Sequence, residues 1–545
     1  MSPTSPRRRD ALPLPLPVAL FLVLGLALLW AQPAHAQTGI GASGVFTEKE
    51  ALGPDGVVPV SLEEFAHRRA RLAEAVGDGV VLGMGTVAPP HDYIPFFQNA
   101  SFRYLTGVTE PDAALLMEVA GGEVVSEVLL VNPRDPETET WEGYRMGPLG
   151  TREAAGLDGR SVGELAPALA EALERTGADQ VLVVGPYAPG GTVRNDVTQR
   201  VDALLKGHPG VEARNASALT DRLREIKSDA EMDLLRMATA ITSAAHLEVM
   251  SLVRPGLNEF EVQALLEHTF RRYGAERPAF ASIVGSGPNS TILHYNTNDR
   301  HMEDGEVLLV DIGASYGGYA ADITRTIPVN GRFSPEQREI YQLVLDAQRA
   351  AEEMAGPGVP VARLNAEAAR VLEEGLVALG LVEEMGATYE DAAGRSRSQL
   401  TLFYMHGLGH GIGLDVHDPW PTVLEPGTAF TIEPGIYVRP NLFSEVLPDT
   451  PRNRELGEAI GEAFQRYVNI GVRIEDDYLV TEDGLEWLSP VPREIEEIEA
   501  FMAGDRSVPL PRRDDWVEWY RAGVGSAHES VQGSVHGGVE GHPGH

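Results

Sequence analysis

A chain of 545 residues exceeds what one hydrophobic core ordinarily serves, and its 43% apolar content is enough to fill two or more. Asp and Glu outnumber Lys and Arg by 80 to 44, and the formal net charge of −36 repels phosphate backbones and anionic bilayers, so nucleic acid is not an expected partner. There are no cysteines, which excludes disulfides, thiolate metal sites and a Cys-linked lipid anchor.

The chain opens with Arg7-Arg8-Arg9, an apolar run of 13 residues from Val18 to Trp30, and the small residues Ala34-His35-Ala36. That is the order of a secretory signal, and the run is shorter than the roughly 20 residues that cross a bilayer. Residues 1–36 are therefore expected to be cleaved, leaving an exported protein, periplasmic or extracellular, with no stable membrane insertion. Residues 37–58 are turn-rich and read as a linker.

From Ser61 a capping pattern with Glu64, followed by apolar Leu62, Phe65, Ala66, Leu72 and Val76, predicts a helix. Short apolar runs at 80–84, 114–119, 124–131 and 181–184 alternate with helical stretches such as 162–173, predicting an α/β domain with a mixed sheet over 59–218. A second domain is expected over 219–490, giving α/β (α+β) overall. It begins with the amphipathic stretch DRLREIKSDAEMDLLRMATAITSAAHLEVMSLV, read as one long helix up to the break at Pro255-Gly256. Helices are predicted to follow over 259–273, 335–354 and 361–379. Residues 491–522 form a carboxy-terminal extension. The tail 523–545, with His528, His536, His542 and His545, has no apolar period and is expected to be disordered.

Three segments of the second domain carry chemistry. In EVLLVDIGASYGGYAADITRTIPV two β-like runs flank Tyr316-Gly317-Gly318, which predicts a hairpin. Asp311 and Asp322 lie almost symmetrically about its tip and are expected to be cross-strand neighbours. Two such carboxylates repel, by roughly 1 kcal/mol even across water and by more when buried, so something positive must sit between them. The second segment, HGLGHGIGLDVHD, sets His406, His410 and His417 among glycines that let backbone and substrate approach closely. It does not spell a phosphate-binding loop. The third pairs TAFTIEPGIYV with VRIEDDYLV, presenting Glu433 and Glu475 on a second predicted hairpin whose strands are separated by an irregular excursion over 439–469. Acidic residues thus sit on paired strands twice over, which hints at a two-fold-related core. Asp311, Asp322, Glu433 and Glu475 with His410 offer four carboxylates and one imidazole. Two divalent cations would balance that charge, and oxygen-rich ligation with one nitrogen suits Mn²⁺, with Co²⁺, Fe²⁺ or Zn²⁺ as alternatives. A pair of ions roughly 3.5–4 Å apart can hold a bridging hydroxide and polarise a carbonyl, so the expected reaction class is metal-assisted hydrolysis.

At these residues the chain resembles the pita-bread metallopeptidases, aminopeptidase P most closely. The matching motifs are VDIGASYGGYAADITRT, HGLGHGIGLDVHD, TIEPGIY and GVRIEDDYLVT, with a weaker match at Phe102–Asp112 in the first domain. The resemblance implies removal of the N-terminal residue from peptides with proline second. It further implies that Asp311 binds one ion, that Asp322 and Glu475 bridge both, and that His410 and Glu433 bind the other. Glu433 would also take the proton of the attacking water. His294 would lie near the scissile region, His406 and His417 on the proline side, and Arg473 and Tyr437 beside the metal site. A homo-oligomer, dimer or tetramer, is implied by analogy alone. A prolidase acting on Xaa-Pro dipeptides uses the same ligand set and is the rival reading; a non-catalytic peptide-binding module is a third, which the complete ligand set disfavours.

Overall fold

The computed structural model describes residues 60–91, 94–190 and 195–504. The expected signal (1–36), linker (37–58) and His-rich tail (523–545), with residues 505–522 of the expected extension, lie outside them. Helix α1 (Leu62–Val76) starts where the capping pattern places it, with the Ser61 hydroxyl accepting from Glu64 N at 3.1 Å. Its buried face differs from the expected one. Arg68, Arg69, Leu72 and Ala73 point inward, while Leu62 is 41% exposed. Both guanidinium groups find acceptors the apolar pattern could not reveal: Arg68 donates to Tyr104 O at 3.2 Å, and Arg69 to Leu105 O at 3.0 Å and to Glu127.

A six-stranded mixed sheet follows. It comprises β1 (Gly79–Met84), β2 (Ala114–Ala120), β3 (Glu123–Val131), β4 (Gly159–Ser161), β5 (Gln180–Val184) and β6 (Glu212–Asn215) in the order β4-β3-β2-β1-β5-β6. The pairs β1–β2 and β2–β3 are antiparallel and the others parallel. Strand alternation sends Val81, Leu115 and Met117 into one core and Val80, Leu82 and Leu116 into another, because helices such as α2 (Ala100–Thr106) and α3 (Leu165–Thr176) cover opposite faces.

The stretch read as one long helix is two, α4 (Ser217–Arg224) and α5 (Asp229–Leu252). Its apolar period runs through the interruption, but Ser228 and Glu231 form a capping box that starts α5 afresh, and Lys227 N donates to Gly427 O at 2.8 Å. Helices α6 (Glu259–Arg272), α7 (Pro335–Met354) and α8 (Val361–Ala378) lie where periodicity predicts them. The excursion over 439–469, expected to be irregular, holds the 17-residue helix α9 (Pro451–Tyr467), capped by Thr450.

Between the helices stand three-stranded sheets, two of which carry the long hairpins. One contains β7 (Ile283–Ser286), β8 (Val307–Ile312) and β11 (Ile323–Pro328). The hairpin β8–β11 is extended at its tip by β9 (Ala314–Tyr316) and β10 (Tyr319–Ala320). The other sheet joins β12 (Ala429–Ile432), β15 (Asp476–Thr481) and β16 (Gly484–Trp487), and the hairpin β12–β15 continues past a break into β13 (Gly435–Tyr437) and β14 (Gly471–Arg473). Helix α5 backs the first hairpin and α7 the second, the repeated arrangement that the doubled acidic pattern suggested. A β-bridge from Thr324 to Glu475 joins the two hairpins.

Beside that bridge Arg325 and Asp476, both fully buried, pair at 2.6 Å. Burial alone would raise the Asp476 carboxyl, but Arg325 and Arg493 hold it below the usual range. Asp476→Ala would leave Arg325 buried without its charge partner and is expected to cost about 3–5 kcal/mol. Equilibrium denaturation would read this as a lower midpoint, and an unchanged midpoint would contradict it.

Candidate metal centre

The register of the first hairpin corrects one expectation. Tyr316 pairs with Tyr319, Ile312 with Ile323, and Asp311 with Thr324, so Asp322 is diagonal to Asp311 rather than opposite it. The turn consists of Gly317 and Gly318 alone, both at positive φ (59° and 88°), which moves the axis of the hairpin one residue towards the C-terminus. In the second hairpin the carboxylates do face each other. Ile432 pairs with Asp476 and Gly435 with Arg473, which sets Glu433 opposite Glu475 at the break between the two ladders. Asp311, Thr324, Glu475 and Glu433 therefore form one row across four strands, with Asp322 two residues from Thr324 on the same face.

The His406–Asp418 segment closes over this row. Thr431 N donates to His410 O at 2.9 Å, and a side chain at position 409 would collide with the Thr431 carbonyl, so only glycine admits this approach. One atom from each of Asp322, His410 and Glu475 lies within 4.8 Å of the others. His410 Nε2 is 3.5 Å from Asp322 Oδ2, 3.7 Å from Glu433 Oε1 and 3.8 Å from Glu475 Oε1. Asp311 is the outlying member: its Oδ2 accepts from Arg473 Nη2 at 2.5 Å, while its Oδ1 is buried without a hydrogen-bond partner. Asp322 Oδ1 is likewise buried and unpartnered.

These residues fit a pair of divalent cations. Burial, then repulsion from Glu475 and Asp311, pushes the Asp322 carboxyl well above its usual range. Glu475 is raised by burial and then by Glu433 and Asp311, and burial lifts Glu433 to about 8. His410 supplies the matching neutral nitrogen. Its Nδ1 bonds Gly411 O at 3.0 Å, which fixes that nitrogen as the donor and turns the Nε2 lone pair toward the carboxylates, and burial lowers its pKa to about 4.

The remaining expected residues surround a cleft of about 920 Å³ lined also by Phe280, Ile283, Leu293 and Val416. His294 and His417 are exposed on its wall, and the His417 ring is 4.3 Å from that of His410. Arg473 lines the cleft, whereas Tyr437 is fully buried behind it and accepts from Arg473 Nη1 at 2.8 Å. His406 is engaged at both ring nitrogens, with Gly407 O and Tyr437 Oη, each at 2.8 Å. Asp476 and Asp477, which follow Glu475, are buried as well. Asp477 accepts from Thr239 Oγ1 at 2.8 Å and from the backbone of Asp322.

Thr324 is the residue that sequence reasoning missed. Its hydroxyl donates to Glu475 Oε2 at 2.7 Å and accepts from Arg473 Nε at 3.2 Å. The available signal was strand alternation, which puts residue 324 on the face of Asp322. Thr324→Val keeps the shape and removes the hydroxyl; it is expected to weaken divalent-metal binding about 10-fold to 100-fold, the usual effect of losing a group that orients a ligand. Isothermal titration with Mn²⁺ would measure it, and an unchanged affinity would remove Thr324 from that role.

The geometry can be set beside known proteins. The model of metallopeptidase family M24 matches residues 233–482, and that of the aminopeptidase P N-terminal domain matches residues 65–182. An Xaa-Pro aminopeptidase of Haemophilus influenzae is 36% identical over 453 residues, 81% of this chain and 97% of that protein. The human Xaa-Pro dipeptidase is 32% identical over 487 residues, 82% of this chain and 94% of that one. Among solved structures, zinc-substituted Escherichia coli aminopeptidase P in complex with product is 33% identical and superposes with a TM-score of 0.70, covering 83% of this chain and all of the other. By sequence and by fold, the chain belongs to the aminopeptidase P family, pita-bread metallopeptidases of family M24 that carry the aminopeptidase P N-terminal domain.

Proposed function

We propose that the chain is an exported aminopeptidase that hydrolyses the N-terminal Xaa-Pro bond of peptides with two divalent cations, most readily Mn²⁺. The observation that carries this reading is the convergence of Asp322, His410 and Glu475 within 4.8 Å, with Glu433 at 3.7 Å from the imidazole, on the floor of a cleft with an apolar wall. Asp311, Asp322, His410, Glu433 and Glu475 would hold the cations, which when bound supply Lewis acidity toward water and toward a carbonyl.

The protein's own groups do the rest. Glu433, 3.7 Å from His410 Nε2 on the cleft lining, is the carboxylate placed to act as the base. It takes a proton from the attacking water and returns it to the prolyl nitrogen, which leaves as an amine. Its Oε2 is 3.6 Å from His406 Nδ1, a contact that limits the directions in which it can swing. Arg473 fixes Asp311 and, through Tyr437, His406. An Xaa-Pro bond is a tertiary amide without an N–H, so the site has no hydrogen to receive there, and Phe280, Ile283, Leu293 and Val416 offer apolar surface to a compact side chain or ring.

Export is supported by the Arg7–Ala36 segment, and a homo-oligomer by family resemblance alone. The likeness to the human Xaa-Pro dipeptidase favours a prolidase as the second reading. Hydrolysis of Xaa-Pro-Yaa peptides and Xaa-Pro dipeptides, with each divalent ion added separately, tests the assignment. The proposal expects release of Xaa from the longer peptides with Mn²⁺, and activity confined to the dipeptides would overturn it in favour of the prolidase.

A further inference from the structure

The turn that joins the two aspartate-bearing strands is not free in solvent. A Cβ on Gly317 would strike the Leu234 side chain of α5, and one on Gly318 would overlap the guanidinium of Arg103 from α2 in the amino-terminal half. The next residue, Tyr319, is 2% exposed, and its hydroxyl donates to Glu231 Oε1 at 2.9 Å. The other oxygen of Glu231 accepts from Ser228 N at 3.0 Å and lies 3.3 Å from Arg68 Nη2. Arg68 is itself pinned. It donates to Glu64 Oε1 at 3.1 Å and to Tyr104 O at 3.2 Å, and its guanidinium lies over the Tyr104 ring, 4.3 Å from the centroid. A chain of polar contacts thus runs from α1 of the amino-terminal half through α5 to Tyr319, three residues before Asp322; its Arg68–Glu231 link is an ion pair without a hydrogen bond, since Arg68 Nη2 has no hydrogen-bond partner.

We propose that Arg68 is a positioning residue for the metal centre, acting through Glu231 and Tyr319 to hold the hairpin turn and with it the carboxylates of Asp311 and Asp322. A buried ion pair is a poor source of net stability, since packed apolar groups of the same volume do as well or better; here hydrogen bonds to Glu64 and Tyr104 O fix the Arg68 guanidinium, and its charge then holds Glu231. The hairpin is the element whose geometry matters here. Its arms carry two carboxylate ligands near the turn, and Ala320 N also donates to Gly413 O at 2.8 Å, so the same turn touches the segment bearing His410. Arg69 provides an internal comparison. It is as buried as Arg68 and next to it on α1, yet it donates to Glu127 and Leu105 O, which lie within the amino-terminal half.

The inference rests on reading Asp322 as a metal ligand, and the experiment separates the two. Mn²⁺ affinity is measured by titration calorimetry on the full chain for the wild type, Arg68→Met, Arg68→Lys, Tyr319→Phe and Arg69→Met, together with kcat and KM on an Xaa-Pro-Yaa peptide. Arg68→Met and Tyr319→Phe are expected to weaken Mn²⁺ by about tenfold, the lower end of the effect of freeing a ligand from its support. They should lower kcat while KM stays within about twofold, the pattern of an interaction needed for the transition state and not for substrate binding. Arg68→Lys should restore part of the affinity, and Arg69→Met should bind Mn²⁺ as the wild type does. Unchanged affinity in Tyr319→Phe, which removes a single hydroxyl and leaves α1 intact, would overturn the proposal. So would an equal loss in Arg69→Met, which would show general loosening of the amino-terminal half. A wild type that binds no Mn²⁺ would overturn the metal-site reading and this proposal together, and the wild-type titration tells that outcome from the others.

Discussion

Asp322→Ala is expected to lower kcat on Xaa-Pro-Yaa peptides by about 10³-fold or more, as happens when one member of an interdependent catalytic set is lost. The carboxylate sits at the centre of the site, 3.5 Å from His410 Nε2 and repelled by Glu475 and Asp311, with one oxygen buried and unpartnered. Removing it takes away a central negative group around which cations would gather. The fold should not suffer, because the variant relieves repulsion among buried carboxylates. Metal-free Asp322→Ala is therefore expected to melt no lower than the metal-free wild type. Near-normal turnover would remove Asp322 from the metal centre, and a large loss of metal-free stability would show that it holds the fold instead.

Stripping divalent metal is the second large effect. A ligand bound only to the folded state at 100 times its Kd stabilises by about 2.7 kcal/mol per site, and in a domain of 150–250 residues each kcal/mol moves Tm by about 2–4 °C. Chelation is thus expected to lower the Tm of the catalytic half by roughly 5–10 °C for each site emptied. The metal-free protein should also depend on pH in a set direction. Asp322, Glu433 and Glu475 have folded-state pKa values above their ordinary ones, so through them the folded state binds more protons than the unfolded state and stability falls as pH rises. Buried His246, His406 and His410, lowered from 6.5, act in the opposite direction below that value, so the fall is read above pH 6.5. For Glu433 the window runs from its ordinary 4.5 to about 8. Differential scanning calorimetry at pH 6.5 and pH 8, with and without Mn²⁺, checks both statements. A chelator-insensitive Tm, or a metal-free protein more stable at pH 8 than at pH 6.5, would contradict them.

The donor residues were legible because their chemistry is local. A carboxylate inside an apolar strand, or a histidine among glycines, stands out without any knowledge of what faces it, and the structure brings His410, Asp322, Glu433 and Glu475 together. Their partners were not legible. Strand register depends on turn length, and a turn of Gly317-Gly318 alone moves Asp311 from Asp322 to Thr324, a change that symmetry about the motif does not reveal. Arg68 and Arg69 read as the polar face of α1, since nothing nearby in sequence announces Tyr104 O, Leu105 O or Glu127 as acceptors. The break before Asp229 was hidden by an apolar period that continues across it, although Ser228 and Glu231 spelled the capping box. Helix α9 was missed because Pro451 and the glycines at 457 and 461 weakened a pattern that Leu456, Ile460 and Phe464 complete in the fold.

Metal content tests the central claim most directly. Protein saturated with Mn²⁺, passed through a desalting column and analysed for metal should retain two ions per chain, and His410→Ala should retain fewer. A wild-type chain that keeps no divalent ion and still releases the first residue from Xaa-Pro-Yaa peptides in excess chelator would contradict the account.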